Sequence, residues 1–237
     1  MDLIGLLSFG PDGWGDELAA GTWLTIRLAV ATLPFGLALG LLIALAKRSQ
    51  RRWLRAFGNL YTTVFRGLPE LLTIFIVYFG GQIVFQKIVT LVAPGETIEI
   101  SGFVTGMVAL GVVFSAYSSE VFLGAFNGIQ HGQWEAAKAL GLRPVATMRL
   151  VILPQLVRLA LPGLANLWLI LLKDTSLVSV IALDDLLRMT GIAVRVTKQP
   201  FFFFGVACLI YLIMSMISSI GITAIERRVS RGLGRTA

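Results

Sequence analysis

Two chemistries are nearly absent from this sequence. Its 237 residues include one cysteine, Cys208, and one histidine, His131. A lone cysteine forms no intrachain disulfide, and Cys208 lies inside an apolar run where packing is its natural role. His131, without paired His or Cys ligands, builds neither a zinc site nor a serine–histidine pair; a loop position suits it. No G-x-x-x-x-G-K-[ST] loop occurs, so the chain should not hydrolyse ATP by the phosphate-loop mechanism. Charge is also thin. Only 14% of residues are charged, against about 25% in an ordinary soluble domain. A secretory signal is not expected either: Met1-Asp2 lacks a positive start, and Asp12, Asp16 and Glu17 precede the first apolar run. The first apolar run is expected to stay in the mature protein.

What is abundant is apolar: 56% of residues are hydrophobic and the mean hydropathy is +0.83. That composition indicates an all-α integral membrane protein. The net charge of +7 and pI of 10.1 do not point to nucleic acid. The basic residues come in short blocks between apolar runs, not as a stripe with interleaved aromatics.

A helix needs roughly 20 apolar residues to cross the hydrocarbon core. Five runs qualify, at about 18–46, 60–92, 102–125, 156–183 and 201–225. Pro34 and Gly36 inside the first should kink the helix without ending it. The second is expected to break or bend at Gly80-Gly81, with a turn at Val92-Ala93-Pro94-Gly95-Glu96 after it. The third is rich in small residues (Gly102, Gly106, Gly111, Ser115, Ala116), which permit close helix packing in lipid. Residues 184–198 have the mixed character of a short helix along the membrane surface. Most lysines and arginines fall on one side: Lys47, Arg48, Arg51, Arg52, Arg55 and Arg66; Lys138, Arg143, Arg149 and Arg158; Arg227, Arg228, Arg231 and Arg235. This bias puts the N-terminus outside and the C-terminus in the cytoplasm.

Three polar clusters interrupt the apolar runs. Lys173-Asp174-Thr175-Ser176 lies in the fourth run, with Lys173 roughly 22 Å along a helix from Arg158. Intramembrane ionisable groups are costly and are functional candidates by default. Lys173 can instead snorkel outward, whereas Asp174 is too short to do so and needs a partner or a water-filled path. The hydroxyls of Thr175 and Ser176 either complete a polar patch or bond backbone carbonyls. Phe65-Arg66-Gly67-Leu68-Pro69-Glu70 opens the second run. Gly67 and Pro69 should disturb the helix, and Arg66 and Glu70, four apart, fit a surface pair as well as a gate or docking role. In Ser115-Ala116-Tyr117-Ser118-Ser119-Glu120, Glu120 is within reach of a basic loop residue. Glu70 and Tyr117 join Lys173, Asp174, Thr175 and Ser176 as the candidate substrate path; Arg66, Gly67, Pro69 and Glu120 are gate or structural candidates.

The last polar stretch, about 127–154, reads as a cytoplasmic helical hairpin. Glu135-Ala136-Ala137 starts it, Gly141 stops the first helix in a left-handed conformation, and Arg143-Pro144 restarts the chain. Ile152-Leu153-Pro154 is expected to stop the second helix. With small residues where another backbone can approach, the hairpin looks like a docking element.

These residues together resemble the permease subunits of bacterial ABC importers for polar and basic amino acids, of the histidine/lysine/arginine/ornithine and opine type. The E-A-A…G…I-L-P pattern is Glu135-Ala136-Ala137, Gly141 and Ile152-Leu153-Pro154. F-R-G-x-P is Phe65 to Pro69, and A-Y-x-x-E is Ala116 to Glu120. A-L-P-G-L is Ala160 to Leu164, and L-K-D-T-S-L-V-S is Leu172 to Ser179. The likeness runs from about Gly21 to Ile225. It departs at Leu123, where many members carry an arginine that would join a cytoplasmic salt bridge. The resemblance implies the five-span type I importer permease fold in one domain and a multi-pass place in the bacterial inner membrane, N-terminus periplasmic. It implies pairing with a second permease subunit, like or identical, and a periplasmic solute-binding protein that delivers the substrate. A cytoplasmic ATPase dimer, binding the ATP and Mg that this chain does not, would grip the hairpin through Glu135, Ala136, Ala137, Gly141, Arg143, Pro144 and Pro154. Two other readings compete: a structural or assembly membrane protein, and a secondary transporter or channel working alone.

Overall fold

The computed structural model describes residues 5–92, 100–181 and 183–230. Met1-Asp2, Ala93 to Glu96 of the expected turn, Arg231 and Arg235 lie outside the described residues.

The helices follow from apolar runs punctuated by glycine, proline and charge. They are α1 (Gly15–Lys47), α2 (Arg52–Gly67), α3 (Glu70–Val92), α4 (Gly102–Gly128), α5 (His131–Ala139), the single turn α6 (Pro144–Ala146), α7 (Leu153–Asp174), α8 (Leu186–Thr197) and α9 (Pro200–Ser230). Among the described residues, five stretches are long and apolar enough to cross a membrane: Gly15–Lys47, Glu70–Leu91, Gly102–Gly128, Pro144–Ile181 and Pro200–Val229. Pro34 lies inside α1 and does not end it, because in a membrane helix neighbours can satisfy the freed carbonyl.

Two expected boundaries move. The run from Leu60 to Val92 is not one span bent at Gly80-Gly81. It is two helices separated at Leu68-Pro69, where Leu68 is extended (φ −92°, ψ 148°). Proline disfavours the α conformation in the residue before it, whereas a Gly-Gly pair still makes both backbone hydrogen bonds and α3 runs through it. Pro154 likewise does not stop a helix. It sits at the start of α7, directly after a π-helical turn, and the irregular turn accommodates the proline without ending the helix. The preceding turn Thr147–Ile152 is a wide π-turn, with Leu153 N donating to Met148 O. The chain is therefore helical from Pro144 to Asp174.

α4 is the most buried of the spanning helices and packs against α1, α2, α3 and α7. Small residues let α1 come close. A β-carbon on Gly40 would fall 2.0 Å from Ser118 Oγ, and Ser118 Oγ donates to Gly36 O at 3.3 Å. The central core joins Leu28, Ile74, Leu110, Phe114, Leu171 and Val178. A second core under the hairpin joins Phe122, Phe126, Ile152 and Leu156.

Past α7 the chain tightens into a 3₁₀ stretch, Thr175–Ile181. α8 then starts at Asp185, whose carboxylate accepts from Leu187 N (3.4 Å) and Arg188 N (3.0 Å) as an N-cap. Leu186 N donates to Thr25 Oγ1 of α1 at 3.2 Å, which ties this short helix to the bundle.

Candidate functional site

Three groups of polar side chains stand out, each set by a different local rule. The first is the hairpin. α5 ends in a Schellman cap: Leu142 N donates to Ala137 O at 3.1 Å and Gly141 N to Lys138 O at 3.0 Å. Gly141 has φ +72°, a conformation that costs a residue with a β-carbon roughly 1–2 kcal/mol. Arg143 is extended and precedes α6, with Pro144 in its first turn. Ala137 and Ile152 are buried, and Trp134 and Met148 pack on the second core. Gln155 Nε2 donates to Gln133 Oε1 at 3.1 Å, joining α7 to α5. The base of the hairpin is thus fixed to the bundle.

Its outer side is open: Glu135, Ala136, Gly141, Arg143, Pro144 and Pro154 are all exposed, and Glu135 pairs only loosely with His131 at 3.6 Å. His131 opens α5 and is not a loop residue. Sequence reasoning passed over Leu140, Val145 and Leu150, which are 80%, 78% and 66% exposed at this polar tip. Large apolar side chains inside a hydrophilic hairpin were the available signal.

The second group is a paired charge cluster. Lys47 Nζ, at the end of α1, donates to Glu120 Oε1 at 2.5 Å and to Thr62 Oγ1 at 3.2 Å. Arg66 Nη1 lies 3.5 Å from the same Glu120 oxygen and its guanidinium sits 5.7 Å from the Tyr117 ring. The basic partner foreseen for Glu120 is therefore a helix-end lysine together with Arg66. Arg66 does not share a helix face with Glu70, because Gly67 ends α2 and Pro69 re-aims the chain.

The third group is acidic. Glu70 at the start of α3, Tyr117 in α4 and Asp174 at the end of α7 line one cavity, whose walls are otherwise apolar: Ile74, Phe114 and Leu171 among them. Both carboxylates share this lining with Tyr117. The free volume is about 20 Å³, enough for one water and no more. The cavity is narrow, and Glu70, Tyr117 and Asp174 at its polar end are each half-buried.

The other members of the sequence-predicted path do not reach it. Lys173 is exposed, Ser176 is half-buried away from the cavity, and Thr175 Oγ1 donates to Leu172 O at 2.7 Å. Gly67 and Pro69 form the exposed joint between α2 and α3.

Comparison with known proteins places these features in context. A family model described as "Binding-protein-dependent transport system inner membrane component" matches residues 36–231. A nopaline transport system permease protein of Agrobacterium fabrum is 43% identical over 98% of this chain and 99% of its own length. An arginine ABC transporter permease protein of Haemophilus influenzae is 40% identical over 88% of this chain and 91% of its own. Among solved structures, an amino acid ABC transporter crystallised with histidines matches with a TM-score of 0.77 and 31% identity, covering 91% of this chain and 95% of that one.

Proposed function

The chain belongs to the family of binding-protein-dependent transport system inner membrane components, and on that premise we propose that it carries an amino acid or opine bearing a cationic group across the inner membrane as one permease unit of an ATP-driven importer. The observation that carries the substrate class is the convergence of Glu70 and Asp174 on one apolar-walled cavity. Two carboxylates that repel each other in a low-dielectric wall gain most from a guanidinium or ammonium placed between them. Relatives named for nopaline and arginine agree with that chemistry. Tyr117 supplies a hydroxyl and a ring face beside the same point.

The hairpin serves a separate job. Its exposed Leu140, Val145 and Leu150, with Glu135 and Arg143 beside them, form an apolar tip with a charged rim, suited to a cleft on a cytoplasmic ATPase. The lysine and arginine bias supports a cytoplasmic hairpin and C-terminus and a periplasmic N-terminus. A second permease subunit would cover part of the apolar surface that α3 and α9 leave open, and a periplasmic binding protein would load the opposite face. Widening of the narrow cavity then alternates with ATPase closure as a rigid-body change.

The test is uptake of radiolabelled arginine into proteoliposomes holding the co-purified complex. Uptake should require ATP, and Gly141→Asp should abolish it while the protein remains in the membrane. ATP-independent uptake, or a normal rate from a well-expressed Gly141→Asp variant, would sink the reading.

A further inference from the structure

α2 is too short to be a span and is not continuous with one. Its 16 residues reach roughly 24 Å, short of the ~30 Å hydrocarbon core, and the extended Leu68 separates it from α3. Its residues sort into three faces. Gly58 and Thr62 are buried, and Tyr61 donates to Val112 O of α4 at 3.1 Å, so this face packs on α1 and α4. Trp53, Phe57, Leu60 and Val64, at helical spacing, form a second face exposed by 64%, 56%, 64% and 39%. Arg52, Arg55, Asn59, Thr63 and Arg66 make a third face, also exposed, and Arg51 caps its N-terminal end.

The charges are one-signed. No acidic residue lies between Lys47 and Pro69. Three of the six cations in that segment are engaged: Lys47 with Glu120, Arg66 with Glu120 and Tyr117, and Arg48 over the Phe126 ring at 4.5 Å. Arg51, Arg52 and Arg55 have no ion pair among the described residues. A helix with protein on one side, an aromatic-led apolar stripe on a second and free arginines on a third has the form of an interfacial helix lying in the plane of the membrane.

We infer that α2 is such an in-plane helix, and that Arg51, Arg52 and Arg55 bind the headgroups of anionic phospholipids while Trp53, Phe57, Leu60 and Val64 enter the acyl layer. The juxtaposition of a one-signed, unpartnered charge row with an apolar stripe selects an anionic bilayer surface over a protein partner, because a lipid layer satisfies both faces at once. This stands apart from the substrate reading: it needs only that the chain is in a membrane.

The experiment uses the full-length chain with its co-purifying subunits in phosphatidylcholine nanodiscs. Spin-labelled phosphatidylglycerol and spin-labelled phosphatidylcholine are compared for the fraction immobilised on the protein. The wild type should prefer the anionic lipid. The R51Q/R52Q/R55Q variant should lose that preference by about tenfold or more, whereas R227Q/R228Q at the end of α9 should keep it. No preference in the wild type, or an unchanged one in the triple variant, overturns the proposal. A spin label at Phe57→Cys, in a Cys208→Ser background, reads the apolar stripe. Access to oxygen supports insertion in lipid. Access to a water-soluble nickel chelate overturns it, and shielding from both overturns it in favour of a protein partner such as the second permease.

Discussion

One turn apart on α4, Glu120 and Tyr117 look onto two acidic regions that are balanced in opposite ways. Glu120 is held by Lys47 at 2.5 Å and by Arg66 at 3.5 Å. Glu70 and Asp174, beside Tyr117, line one apolar-walled cavity; neither has an ion pair among the described residues, although Lys173 and Arg66, 5.7 Å from the Tyr117 ring, lie nearby. The first region has its ion pairs within the chain, and the second has none among the described residues; on the proposed function, the substrate supplies the missing charge. A charge that has its partner holds helices together, and one that lacks a partner is free to bind.

Removing one charge from each region should separate the two. Lys47→Met leaves Glu120, whose side chain is 31% exposed, with only the longer contact to Arg66. Breaking a largely buried pair of this kind costs about 3 kcal/mol, measured as a lowered melting temperature of the purified complex. If Lys47→Met melts like the wild type, the paired region has no structural role. Asp174→Asn should do the reverse. Uptake should fall about a hundredfold, the scale for truncating a buried charged contact, with melting unchanged or raised because like-charge repulsion is relieved. Full uptake by this variant removes Asp174 from the path.

Asp185 offers a third kind of balance, a carboxylate satisfied by backbone N–H groups and not by a cation. It is buried, and burial pushes its carboxyl up to about 6 from the ordinary 3.8, against the opposing pull of its cap hydrogen bonds. A folded pKa above the unfolded one means the folded state binds the proton more tightly. The contribution to stability is full below about pH 4 and is lost as pH rises through about 6. Between pH 4 and pH 6 the wild type should lose about 2 kcal/mol relative to Asp185→Asn, which keeps the cap and does not titrate. Parallel melting curves for the two across that window would show the carboxyl to be unperturbed. The smallest effect belongs to Arg66→Gln. Its side chain is 45% exposed, so the loss should be about 0.5 kcal/mol by denaturant titration, and a loss as large as that of Lys47→Met would erase the distinction between a buried and an exposed partner.

The span count and the hairpin could be read from the chain, because apolar run length and the Gly141 stop are local signals. The membrane architecture needed no tertiary knowledge. The break in the second run was also written locally, in Leu68-Pro69, but Gly80-Gly81 drew the reading away from it. In an apolar helix glycine costs only propensity, whereas proline constrains its neighbour. Pro154 misled for the opposite reason: a proline is a stop or a start according to the turn before it, and that π-turn has no simple sequence mark. The acid pair and the Lys47–Glu120 contact are not local at all. Glu70 lies on α3 and Asp174 on α7, and Lys47 and Glu120 are 73 residues apart. Only the packing of α1, α3 and α7 around α4 brings them together, so the sequence offered candidates and not partners.

The uninterrupted helix from Pro144 to Asp174 has one more consequence. The exposed tip residues Val145 and Leu150 stand at one end of it and Asp174 at the other, with no loop between them. Of this run α7 has 22 residues, with Pro162 inside it, or roughly 33 Å. A tilt of about 5° at the hairpin would swing the far end by about 3 Å on that length, about one hydrogen-bond length. Pro154 and Pro162 both lie within this helical run without ending it, so on the proposed function the hairpin and Asp174 would move as parts of one element.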